Sequence, residues 1–68
     1  MITEIGLTAG DIWQFLDKHG HATFHELCDA IKKDQSLLWM SIGWLAREGH
    51  VILSREKDDY HITLRTRE

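Results

Sequence analysis

Residues 34–49, DQSLLWMSIGWLAREG, limit what this chain can become. Asp34 suits an N-cap, because its carboxylate accepts backbone N–H bonds at the positive end of a helix dipole. Gly49 suits the left-handed position that closes a helix, and Arg47 places positive charge in the last turn. At about 100° per residue, Leu38, Ser41, Ile42 and Leu45 share one face and form a core stripe. The opposite face carries Ser36, Leu37, Met40, Gly43, Trp44 and Arg47. Leu37, Met40 and Trp44 are large and apolar. A helix that is apolar nearly all round is normally covered on both sides. This helix therefore implies a fold on one side and a partner, or more core, on the other.

Size sharpens the constraint. The chain has 68 residues, enough for one domain spanning 1–68. So short a chain buries only about 60% of its unfolded surface, so its stability is marginal without a supplement. Cys28 is the single cysteine, so no disulfide within the chain supplies one. Three tryptophans add core area, and oligomerisation is another route. No apolar run is long enough to span a bilayer, and the N-terminus carries no signal-peptide pattern. The expected setting is cytoplasmic, with a reduced thiol and no membrane contact. The net charge of −3 does not suit a strongly basic nucleic-acid binder, although it leaves room for a local basic patch.

Ahead of the organising helix, Ile2, Ile5, Ala9, Ile12, Trp13 and Leu16 follow amphipathic helical spacing. Thr8 with Asp11 matches a capping box in outline, and Gly6 and Gly10 weaken the earlier turns. The firm first helix is therefore expected at 8–19, with Ile2–Leu7 as an extra turn or arm. Gly20 closes it, and Leu7 and Phe15 fall off its apolar stripe. His21-Ala22-Thr23 reads as a brief extended link. Thr23 with Glu26 forms a capping box for a second helix over 24–32, which buries Leu27, Cys28 and Ile31 and ends on Lys32-Lys33. The third helix is expected at 35–48.

After Gly49 the apolar period changes from 3.6 to 2. Strands are expected at 50–55 and 60–64, joined by the charged turn Arg55-Glu56-Lys57-Asp58-Asp59, as a β-hairpin. The remainder, Arg65 to Glu68, is a polar tail. The expected core is Ile12, Leu16, Leu27, Ile31, Leu38, Ile42, Leu45, Val51, Leu53, Ile62 and Leu64. Three helices, a short extended segment between the first two, and a closing two-stranded hairpin make an α+β chain in the order of a winged helix-turn-helix.

Ile5-Gly6, Ala9-Gly10 and Ile12-Trp13, with the run Ile42-Gly43-Trp44-Leu45-Ala46-Arg47-Glu48, also carry a family likeness. The chain resembles the small stand-alone bacterial winged helix-turn-helix domain proteins of unknown function. The resemblance covers most of the chain. It implies the fold and brings no catalytic residues. The wider superfamily is mostly DNA-binding, which is an argument by analogy alone.

The residues themselves weigh against DNA. A reading helix needs hydrogen-bonding side chains on its outer face, and here only Gln35, Ser36 and Arg47 qualify. Lys32, Lys33, Arg55, Lys57, Arg65 and Arg67 are cations that could meet phosphate, but Asp58 and Asp59 at the wing tip repel it. An apolar patch rimmed by charge points instead to a protein interface, built here from Leu37, Met40, Gly43, Trp44 and Arg47. Gly43 would admit a close backbone, and a second copy of the chain is the simplest partner. Leu7 and Phe15 would extend the surface. Trp39, on the flank of the core stripe, is expected to finish the core. Trp44 is open between core and interface.

Five histidines raise the question of metal. His21 and His25 stand four apart, as in helical zinc pairs, but the Thr23 cap falls between them and no cysteine or acidic cluster completes a site. Cys28 reads as a small core residue. Neither a nucleophile–base arrangement nor a phosphate loop is evident. No metal, no cofactor and no catalysis are expected. The expected function is a non-catalytic regulatory or interaction module that self-associates through the third helix, with a DNA-binding regulator as the alternative.

Overall fold

The computed structural model describes residues 1–65, so Arg67 and the end of the polar tail lie outside the described residues. The elements run α1 (Ile2–His19), β1 (His21–Thr23), α2 (Phe24–Ala30), α3 (Gln35–Arg47), β2 (Val51–Glu56) and β3 (Asp59–Leu64). The α+β order and the winged helix-turn-helix follow the sequence pattern.

The first helix is longer than its local propensity suggests. It starts at Ile2 with no side-chain cap, and Ile5 N–H donates to the Met1 carbonyl at 3.0 Å. Thr8 is not a cap. It is wholly buried in mid-helix, and its Oγ1 finds no partner among the described residues. Tertiary contact explains the extension, since packing rather than propensity supplies most helix stability in proteins. Ser41 of α3 donates its hydroxyl to the Leu37 carbonyl at 2.8 Å and also lies 3.2 Å from the Ile5 carbonyl. Ser41 is wholly buried, so this polar contact ties the early turns of α1 to α3 where water does not compete.

The caps of α2 and α3 decide the turn between them. Thr23 Oγ1 accepts from Glu26 N–H at 3.1 Å, while Glu26 Oε1 accepts from Thr23 N–H at 2.9 Å, completing the expected capping box. However, α2 stops at Ala30, not at Lys32. Ile31 is extended (φ −112°, ψ 106°), which turns its β-branched side chain into the core and leaves Lys32 and Lys33 in the exposed connection. Asp34 holds the N-cap position of α3, but its carboxylate makes no capping hydrogen bond; its carbonyl accepts from Leu38 N–H at 3.0 Å. At the other end Gly49 has φ +81°. Its N–H donates to the Ala46 carbonyl, and His50 N–H donates to that of Leu45. These are the paired bonds of a Schellman closure.

The hairpin recruits a third strand. The sheet order is β1-β3-β2, antiparallel throughout. The link at residues 21–23 is thus a strand, paired His21 with Thr63, Ala22 with Ile62 and Thr23 with His61. The wing turn is the two residues Lys57-Asp58, with Lys57 at φ +50°. Ala22, Val51 and Ile62 face the helices and are buried with Ala9, Ile12, Leu16, Leu27, Ile31, Leu38, Ile42 and Leu45. Two expected core residues differ. Leu53 pairs with Ile62 yet is 39% exposed, because β2 is the edge strand and is buried only at Val51. Leu64 is half-buried against the core. Cys28 likewise packs on the core's flank rather than within it.

Leu45 is almost fully enclosed by this core. Leu45→Ala is expected to cost about 2–5 kcal/mol of unfolding free energy in a denaturant titration. A loss well under that range would contradict the burial.

Candidate interaction surface on the third helix

Leu38, Ser41, Ile42 and Leu45 are all buried, so the outer face of α3 is fixed by the helical period. Met40 is 39% exposed and Trp44 is 48% exposed, with Arg47 exposed in the last turn and Leu37 half-buried on the flank. A Cβ built on Gly43 meets nothing within 4 Å, so none of the described residues uses its small size. The structure rules out the core reading of Trp44. The ring lies outside the core, 6.4 Å from that of His50. Trp39 behaves differently. It stacks on Phe24 at 4.1 Å and meets the edge of Tyr60 at 5.1 Å, closing the core on the α2 and wing side as expected.

Of the two α1 residues expected to extend this surface, only Leu7 is exposed. Leu7 is 66% exposed and lies on the half of α1 that Ser41 ties to α3. Phe15 is half-buried and turned elsewhere. It lines a shallow hollow with Lys18, His19, Ile31, Lys32 and Lys33, toward the end of α2. Ile2 and Trp13 are also exposed on α1. The helical period places both on the apolar stripe with Ile12 and Leu16, but neither reaches the core.

The residues proposed for nucleic acid are spread over the α2–α3 connection, α3 and the wing. Lys32 and Lys33 lie between α2 and α3, Gln35 and Ser36 are exposed at the start of α3, and Arg47 is at its far end. Arg55 is on β2, its guanidinium 5.6 Å from the centre of the Tyr60 ring, and Lys57 is at the wing tip. Arg65 is exposed beyond β3. The feature that no sequence pattern showed is the setting of Gln35. Asp58 and Asp59 of the wing and Asp29 of α2 line the same hollow as Gln35, together with His25 and Cys28. Carboxylates from two elements thus crowd the leading end of the helix that would enter a groove, where phosphate would be repelled.

Among the described residues no group of three or more His, Cys, Asp or Glu is arranged to hold a metal ion. His21 and His25 fall on different elements, and His25 instead lies 3.6 Å from Asp29 on the exposed side of α2. No described helix is long and apolar enough to cross a membrane.

The sequence model of one family, described as a winged helix-turn-helix domain (DUF2582), matches residues 1–64. The chain belongs to that family. As a DUF2582 domain it shares a fold that is commonly DNA-binding or regulatory and typically non-catalytic. No protein of curated function matches the chain.

Within this DUF2582 domain, partial burial pushes the Cys28 thiol up from its ordinary value, and the carboxylates of Asp29 and Asp59 add to the effect. A raised thiol holds less thiolate at a given pH and reacts more slowly. Alkylation by iodoacetamide at mildly alkaline pH is expected to be slower than for an unstructured cysteine peptide, and faster in Asp59→Asn. Equal rates for peptide and protein would refute the raised thiol, and an unchanged rate in Asp59→Asn would refute the charge account.

Proposed function

We propose that this domain is a non-catalytic interaction module that works through protein contacts and pairs with a second copy through the outer face of α3. The observation that carries the reading is the exposure of Met40 and Trp44 beside an unused Gly43. Exposed apolar surface of this kind, rimmed by Arg47, favours association. Helical glycine costs about 1 kcal/mol against alanine, and nothing in the monomer offsets it here. Close approach of a partner backbone would. Pairing also supplements the small core, with stability that grows with concentration.

Sedimentation velocity is expected to show a dimer at high micromolar concentration, with a thermal midpoint that rises with protein concentration. Met40→Glu is expected to give a monomer with an unchanged circular dichroism spectrum and a lower midpoint. A monomeric unaltered protein at those concentrations would sink the reading.

A DNA-binding regulator is the second reading, favoured by the exposed cations Lys32, Lys33, Arg47, Arg55 and Lys57 around the helix-turn-helix. The carboxylates at the start of α3 and the apolar outer face weigh against it. Random duplex DNA separates the two. The protein-contact reading expects no detectable binding at low salt. Micromolar binding that falls steeply as salt rises would instead establish the DNA reading.

A further inference from the structure

Ala22 and Ile62 are buried partners across β1 and β3. Alternation along a strand therefore turns His21 and His61 to the opposite, outer face of the sheet. His21 stands opposite Thr63 and His61 opposite Thr23, so the two histidines are diagonal neighbours. Side chains as long as imidazole can bridge such a diagonal. They do: His61 Nε2 lies 3.0 Å from His21 Nδ1. The ring centres are 4.9 Å apart and the two planes are inclined by only 26°, so the rings lie nearly parallel with these two nitrogens adjacent. Glu56 of β2 holds an oxygen 3.7 Å from His61 Nδ1, the nitrogen facing away from His21.

We infer that His21 and His61 form an open two-imidazole site for a divalent transition-metal ion of the Cu²⁺ or Ni²⁺ class. Imidazole nitrogens bind such ions at about 2.0–2.1 Å. Two nitrogens at that distance and a right angle are about 2.9 Å apart, whereas tetrahedral ligands are about 3.4 Å apart. The 3.0 Å contact is an imidazole–imidazole hydrogen bond, and its spacing is close to that right-angle separation, so an ion that displaces the shared proton finds both nitrogens within reach; Cu²⁺ stands highest in the affinity order. Glu56 faces the remaining nitrogen of His61, as carboxylates do behind metal-binding histidines, where they keep the proton on the far side and the lone pair toward the ion. The rings have room to tilt onto the ion, because the imidazole χ2 torsion is soft and both side chains reach solvent. With no third protein ligand gathered there among the described residues, water fills the other positions and the site is a weak one. A bound ion would clip β1 to β3, and so fasten the entry to the helix-turn-helix onto the wing. The sequence pairs His21 with His25 by spacing; the sheet pairs it with His61.

The test is a titration of the full chain with Cu²⁺, followed by calorimetry and electron paramagnetic resonance. Expected are one ion per chain, a spectrum with imidazole nitrogen ligation, and a raised thermal midpoint. In NMR, substoichiometric Cu²⁺ is expected to broaden the ring signals of His21 and His61 before those of His19, His25 and His50. His21→Ala and His61→Ala are each expected to abolish this one-ion binding, while His25→Ala keeps it. Unchanged affinity in either of the first two variants, or broadening centred on another histidine or the N-terminus, would overturn the site. Failure here leaves the α3 reading untouched, since the two surfaces share no residue.

Discussion

Everything in this domain leans on the burial of Ile62. It sits in the middle strand and is paired on one side with Ala22 and on the other with Leu53. Its side chain is wholly enclosed. Burying a large aliphatic side chain is favourable by roughly 1.5–3 kcal/mol. At this position the gain is shared by strands from the two ends of the chain. The wing is therefore no appendage: its inner strand is the floor on which the helices rest. The edge strand β2, by contrast, is held by backbone pairing and by Val51 at its base.

The α1–α3 seam adds the second constraint. Thr8 and Ala9 of α1 and Ser41 of α3 are small, buried residues, which lets helices approach closely. Of the two hydroxyls buried there, Ser41 reaches the Leu37 carbonyl of its own helix, with that of Ile5 nearby, whereas Thr8 Oγ1 finds no partner among the described residues. With α1 filling one flank of α3 and Trp39 sealing another with Phe24 and Tyr60, the Met40–Gly43–Trp44–Arg47 face is left open among the described residues. The open face is thus a consequence of how the rest of the helix is used.

Much of this was legible in the residues. The period of α3 identified Leu38, Ser41, Ile42 and Leu45 as inward, and the switch to period 2 located the wing. What was not legible depended on neighbours distant in sequence. Two glycines and a plausible cap at Thr8 argued for a late start to α1, and contact with Ser41 outweighed them. Leu53 alternates correctly with Val51, but alternation cannot say that the helices cover only the base of an edge strand. Ile31 left the helix to fill the core, which moved Lys32 and Lys33 into a loop. In the candidate surface, the outward position of Met40 followed from period, whereas Trp44 stood open between core and interface until the fold left its ring outside the core. The carboxylates around Gln35 did not, because Asp29 and Asp58 come together only once the wing folds back beside α2.

The three-residue strand β1 carries a consequence for the order of assembly. Its partners lie in β3, some forty residues further along the chain, and Leu64 N–H closes onto the carbonyl of Gly20. Contacts so distant in sequence are slow to form, because the chain between them must first be ordered. On a ribosome, where chain emerges at about 5–20 residues per second, α1, α2 and α3 are all exposed before β1 has anything to pair with. The helices must wait with an unfinished core until the last strand arrives. The C-terminal residues of the domain are thus the ones that lock its N-terminal third in place.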